Sequence, residues 1–213
     1  MIGPQRVVRS PDGGYPPPDG IGPDTVWFAE GTAADETWAV GFPAPDAEVR
    51  AARAWVATAR VTAAAVRAAA ADRSAVLVPG DGALAGLVRL TLPDAVPAGP
   101  EVPAVVVETT GTEAGILHAL AAVRPGGCVL LAARPLHPTV RLPTYYAVHR
   151  PGVRVLPTRW ADATVDIPDP LVPWALAHLT PDRPGRSIAP GAWYRLVARP
   201  PASASADRRV PGP

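Results

Sequence analysis

Two apolar runs lie unusually close together in this chain, and their spacing limits the fold more than any other feature. Residues 74–85 read SAVLVPGDGALA, a β-branched run leading into a glycine turn and then into helix-forming residues. Residues 104–111 read AVVVETTG, a continuous apolar run of the kind found in strands buried on both faces. Only a short helix from Ala83 to about Leu92, stopped by Pro93, and the Pro-rich stretch 93–100 separate the two. We therefore expect neighbouring parallel strands whose carboxyl ends, at Gly82 and Glu108, border one hollow.

The rest of the chain extends this pattern. Residues Asp46 to about Ala71 carry Val49, Ala52, Trp55, Val56, Val61 and Val66 on one helical face, with Arg50, Arg53, Arg60 and Arg67 mostly on the other. One long helix is expected, or two broken near Val61, with Asp46 as N-cap and Glu48 in the first turn. Residues 113–123 predict a helix capped by Thr112 and ended by Pro125-Gly126-Gly127. Cys128–Ala133 and Gly152–Leu156 read as further strands, and 169–179 and 190–198 as helices. Thr25–Ala29 and Glu36–Gly41 suggest a hairpin or two edge strands, with Trp27 and Trp38 as packing anchors. The fold class is α/β: a shortened, mainly parallel Rossmann-like sheet with helices on both faces. The expected division is a Pro-rich N-terminal extension over 1–45, the α/β domain over 46–199 and a flexible tail over 200–213.

Composition narrows the partners. The chain has 213 residues and a formal net charge of +1, which argues against nucleic acid as the main partner. All 20 basic residues are Arg, a usage we read as the codon bias of a GC-rich genome such as an actinobacterium's. Cys128 is the single cysteine, so no intrachain disulfide or Cys-based zinc cluster can form, and its apolar setting suggests a quiet core thiol. No run approaches the roughly 18 apolar residues of a membrane span. The N-terminus lacks a signal-peptide pattern, so a cytoplasmic location is expected.

Taken in order, the segments VLVPGDGALAGL, AVVVETTGTEAGILHALAAVRPGGCVLLA, YAVHRPGVRVL and AWYRLVARP resemble the Rossmann half of the medium-chain dehydrogenase/reductase superfamily, the zinc-type alcohol dehydrogenase-like proteins. The resemblance covers roughly residues 50 to 200 and rests on element order. It implies an oxidoreductase ancestry, NAD(P) as cofactor and homodimerisation through the edge strand 152–156. The departures point to a degenerate or repurposed member. The β-rich substrate domain is absent or a remnant, the strand bearing an acidic ribose contact is missing, and no metal site is expected.

Gly80-Asp81-Gly82-Ala83-Leu84-Ala85 fits G-x-G-x-x-A, in which glycines allow a tight turn and close approach of a diphosphate to a helix N-terminus. The plainer reading is that the glycines only make the turn. Thr109, Thr110 and Gly111, beyond the second strand, are the other cofactor-binding candidates. Asp81 and Glu108 would share the crevice, where two carboxylates can divide acid and base roles; a solvated or hydrogen-bonded loop is the alternative. His137, after the third strand, is a general acid/base candidate near neutral pH, with Arg134 beside it as an anion holder. Tyr145, with Tyr146 and His149, could line a pocket and polarise a carbonyl. His118 and His178 are expected to be structural.

Three functional readings follow. The first is a small-molecule biosynthetic enzyme of reductase lineage in bacterial specialised metabolism, acting at the strand mouths and NAD(P)-dependent. Its variant is a non-redox cyclase, isomerase or lyase whose substrate fills the cofactor crevice. The second is a non-catalytic, partner-binding subunit. The third is a methyltransferase, which the missing middle units disfavour equally.

Overall fold

A computed structural model describes residues 2–8, 18, 24–30, 36–44, 46–70, 75–93, 102–133, 139–158, 169–181 and 193–196. His137, Arg134 and the tail after residue 199 lie outside the described residues.

The β-branched run after Ala75 forms a short strand, β4 (Val76–Leu77), followed by α2 (Ala83–Thr91). The second run forms β5 (Val105–Glu108), followed by α3 (Glu113–Ala122). Then come β6 (Cys128–Leu131), a π-helical turn over Tyr145–His149, and β7 (Arg154–Pro157). These four strands make one parallel sheet in the order β4-β5-β6-β7. Val105, Val106 and Val107 are all buried, as strands covered on both faces require. The arrangement is a shortened, Rossmann-like α/β sheet.

A second sheet joins the two ends of the chain. The strands β1 (Ile2–Val8), β2 (Thr25–Glu30) and β3 (Glu36–Pro43) pair antiparallel, β2 also pairs with β9 (Trp193–Leu196), and β9 runs parallel to β8 (Leu179–Pro181). The expected hairpin is thus β2–β3. The side chain of Trp38 lies outside the described residues. Trp193–Leu196 is a strand, not the helix expected over 190–198. Trp193 and Leu196 are both buried, and their three-residue spacing imitates a helical face; non-local pairing with β2 decides the conformation.

The helix α1 (Ala47–Ala69) runs unbroken between the two sheets. Its Ala51, Ala52, Trp55, Val56, Ala59 and Ala63 pack with Phe28, Val40 and Phe42 from one sheet and Val105, Val107, Cys128 and Leu130 from the other. Trp55 stacks on Trp193 at 3.9 Å between ring centroids. Val61, expected on the apolar face, is exposed, because a helix flanked on two sides buries small residues over most of its circumference and leaves one narrow open stripe. Asp46 does not cap the helix. Its φ is 66°, and this left-handed conformation turns the carboxylate away from the first amides, which a cap reaches from extended backbone. The helix α4 (Val172–Ala177) packs near α1, tied to it by the Arg60–Asp169 ion pair at 2.6 Å. The expected helix over 169–179 is shortened to this segment, with Pro173 in its first turn.

α2 and α3 cover opposite faces of the parallel sheet. Leu84, Leu87 and Val88 join the core on the α1 side, whereas Ile116, Ala119 and Leu120 pack with Val106 and Val129 on the other. The strands nevertheless succeed one another in a single direction. The crossover through α2 therefore has the opposite hand to the crossover through α3. Almost all parallel crossovers share one hand, so this pair is an exception to that rule.

Candidate functional site

The change of crossover hand builds the site. The loop leaving β4 turns toward α1, and the loop leaving β5 turns the other way to α3. Loops that part from adjacent parallel strands leave a crevice between them, which in open α/β sheets normally accompanies a reversal of strand order. Gly80, at φ 91°, shapes the first loop, and Gly111, at φ 66°, shapes the second; both conformations favour glycine. The loops touch through the Thr109 hydroxyl, which donates to the Pro79 carbonyl at 3.4 Å. Gly82 and Glu108 thus stand at neighbouring mouths on the same end of the sheet, as expected.

The two helix N-termini differ. Thr112 caps α3 by accepting from the Gly115 amide at 2.9 Å. Gly82 occupies the N-cap of α2, which has no side-chain cap. The first amides of α2 therefore have no side-chain acceptor, and Asp81, beside them, is exposed. Ala85 is buried, where it lets α2 sit close to the core.

Glu108 is only 1% exposed. Its carboxylate accepts from the Thr110 amide at 2.6 Å, from the Thr110 hydroxyl and from the Gly111 amide at 3.1 Å. Because Thr110 spends its one proton on Glu108, the Thr112 hydroxyl must donate in the 2.8 Å Thr110–Thr112 contact. A directed chain of hydrogen bonds thus runs from the α3 amides into Glu108. A Cβ on Gly115 would lie 2.1 Å from the Thr110 hydroxyl and 2.6 Å from Glu108 Oε1, so a glycine is required there. This carboxylate, an acid/base candidate from the sequence, organises the loop carrying Thr109, Thr110 and Gly111. Thr110 itself is exposed.

Tyr145 sits on the π-helical turn beside α3, and its carbonyl accepts from the Arg150 amide at 2.8 Å. This segment runs from the start of α3, where the Arg141 amide donates to Glu113 at 3.1 Å, to the turn before β6, where Gly126 donates to the Pro151 carbonyl. Of the other expected groups, Cys128 is fully buried, and burial pushes its thiol up, with Arg154 acting weakly in the other direction. His178 stacks on Trp174 and its Nδ1 bonds the Trp174 carbonyl at 2.8 Å. No group of His, Cys, Asp and Glu among the described residues could hold a metal ion. None of the described helices is long and apolar enough to cross a membrane.

Sequence reasoning missed Arg89. From α2 its guanidinium reaches back to the carbonyls of Val78, at 2.6 Å, and Gly80. The Ala75 carbonyl accepts from Ala104 and Val105, so the odd-numbered carbonyls of this strand face β5, and that of Val78 faces outward. Arg89 thus occupies the open edge of β4, where a further strand would otherwise pair. An Arg two turns into a helix that follows a bare edge strand was the available signal.

No family model matches the sequence, and no curated protein does. Among solved structures, Staphylococcus aureus TarJ in complex with NADPH is 15% identical, with 69% of this chain aligned to 61% of that one at a TM-score of 0.49. L-Idonate 5-dehydrogenase from Escherichia coli is 14% identical, with coverages of 70% and 56% and a TM-score of 0.46. A putative zinc-binding dehydrogenase from Sinorhizobium meliloti bound to NADP is 14% identical, with coverages of 75% and 65% and a TM-score of 0.42. The chain spans less than two thirds of the length of each. These proteins belong to the class that the element order resembles; at such identities and scores the likeness assigns neither activity nor cofactor to this chain.

Proposed function

We propose that the crevice between β4 and β5 binds a phosphate-bearing small molecule, and that the chain is an enzyme of reductase lineage with NAD(P) lying across Gly80–Ala85 and Thr109–Gly111. The observation that supports this most is the uncapped N-terminus of α2 at the point where two glycine-shaped loops part. Residues and group fit chemically: open amides and a glycine turn suit a diphosphate, whereas α3 is already capped and faces Glu108. NAD(P), when bound, supplies hydride transfer. The chain's part is to bind the diphosphate at α2, to hold the β5 loop through Glu108 and Thr110 and to present the exposed Asp81 to the substrate. His137 remains the candidate acid/base group. Arg-only usage supports a bacterial setting, and we place the activity in small-molecule biosynthesis.

One observation favours the non-redox variant. The outer edge of β4 carries Arg89, and among the described residues no strand pairs there to offer an acidic ribose contact. On that reading the crevice takes the substrate itself. Thermal shift with NADP, with nicotinamide mononucleotide and with inorganic pyrophosphate separates the two. At one hundred times Kd, a ligand should add about 2.7 kcal/mol of stability. Stabilisation by NADP supports the redox reading, and pyrophosphate alone the substrate reading. No response to any of the three contradicts the crevice proposal.

We also propose a homodimer through β7. The Arg154 and Thr158 amides donate to Gly127 and Leu131 of the β6 side, so Val155 points its N–H and C=O outward. The Val153 amide is taken by Val148, and Pro157 has no N–H. A two-fold axis at Val155 would pair that residue with its own copy and set Leu156, 43% exposed, against Arg154 of the partner subunit.

A further inference from the structure

The molecule is electrically lopsided, although its net charge is +1. Residues 114–161 contain six Arg and no Asp or Glu, whereas residues 10–49 contain eight Asp and Glu and no Arg. The basic stretch builds α3, β6, the π-helical turn and β7. Its helical part covers the face of the parallel sheet away from α1. The described strands of the acidic stretch lie on the far side of α1. Among the described residues, no ion pair joins the two stretches.

At one corner this basic layer becomes a defined surface. The Gly126 amide donates to the Pro151 carbonyl at 2.8 Å and locks together the turns that carry Arg124 and Arg150. His149 and Arg150 lie three and four residues after Tyr146, and the Arg150 amide donates to the Tyr145 carbonyl. Arg124, His149 and Arg150 are exposed, and no described acidic side chain pairs with them. Tyr145 and Tyr146 are 63% and 69% exposed, their rings packed edge to face at 5.1 Å. Exposed tyrosines interleaved with arginines are the residue types that anchor protein interfaces, and a π-helical turn often marks a functional surface.

We propose that this corner docks an acidic segment of a partner protein. Arg124 and Arg150 would form forked hydrogen bonds with carboxylates, and the tyrosine pair would cover the aliphatic part of the segment. A protein fits better than a nucleic acid, because a net charge of +1 offers no broad basic surface for a long phosphate backbone, whereas two arginines match a short acidic segment. The test uses the full chain and fluorescein-labelled poly-L-glutamate, with polyuridylate RNA and phosphatidylserine vesicles as competing probes. The glutamate peptide should bind, more weakly with rising salt. Binding should weaken about tenfold in Arg124→Ser/Arg150→Ser. It should also weaken in Tyr145→Ser/Tyr146→Ser, with the melting temperature of both variants unchanged. Equal binding in wild type and variants overturns the proposal. So does tighter binding of RNA or vesicles through the same residues, or a loss in the arginine variant alone, which would mean simple charge attraction.

Discussion

Replacing Glu108 by Gln changes one buried atom and tests what that carboxylate does. In the native loop, Oε1 takes the Thr110 amide and hydroxyl, and Oε2 takes part of the Gly111 amide. A glutamine oxygen at Oε1 keeps the first two bonds but without the charge. Bonds to charged groups contribute about 1.5–3 kcal/mol each and neutral ones about 1, so weakening the two costs about 1–3 kcal/mol. The glutamine NH2 then faces the Gly111 N–H, donor against donor, in a buried site, for about another 1–2 kcal/mol. The total is about 3 kcal/mol, and for a chain of this size it corresponds to a melting temperature lower by about 6–12 °C. Thermal unfolding followed by circular dichroism measures this directly. A catalytic base with no structural role would behave differently: Glu108→Gln would lose turnover and keep its melting temperature. A change below about 2 °C would refute the reasoning.

Further outcomes follow from other contacts. Arg89→Ala leaves the Val78 and Gly80 carbonyls on the bare β4 edge unpaired. It should cost about 1 kcal/mol and raise aggregation on light scattering. Gly86→Ala would set a Cβ 2.7 Å from the Trp174 ring. A loss of about 1–3 kcal/mol with a shifted tryptophan emission is expected, despite the better helix propensity of Ala. Leu156→Arg would place two arginines opposite each other at the β7 edge, so the dimer should become a monomer by light scattering coupled to size exclusion; a wild-type monomer would contradict the two-fold model. The Arg60 hydrogen bond and the Leu171 amide hold Asp169 below its ordinary range, against the effect of burial. A depressed carboxylate stabilises the fold above its unfolded value and stops doing so as pH falls through the folded one. The stability difference between wild type and Asp169→Asn should therefore be constant above about pH 4 and vanish below it.

Much of the parallel sheet was legible because β5 and β6 are continuous apolar runs that need burial on both faces, and because Thr112 stands just ahead of a helical pattern. Trp193–Leu196 was not legible, since its pairing partner lies more than 160 residues away at Trp27–Glu30. Asp46 has the right side chain for a cap but the wrong backbone angle, and the angle is set by tertiary context. The crevice could be placed from the strand–glycine–helix order. Its chemistry could not, because the partners of Glu108 depend on how Gly111 turns and on the space left at Gly115. The reach of Arg89 depends likewise on β4 standing at the edge of the described parallel sheet.

Backbone amide chemical shifts during a titration with NADP test the crevice most directly. Ligand at the α2 N-terminus should move the resonances of Gly80, Gly82, Ala83 and Leu84 together with those of Thr109 to Gly111, and leave Val153 to Leu156 in place. Saturable binding that moves other amides while these remain still would contradict a ligand site between β4 and β5.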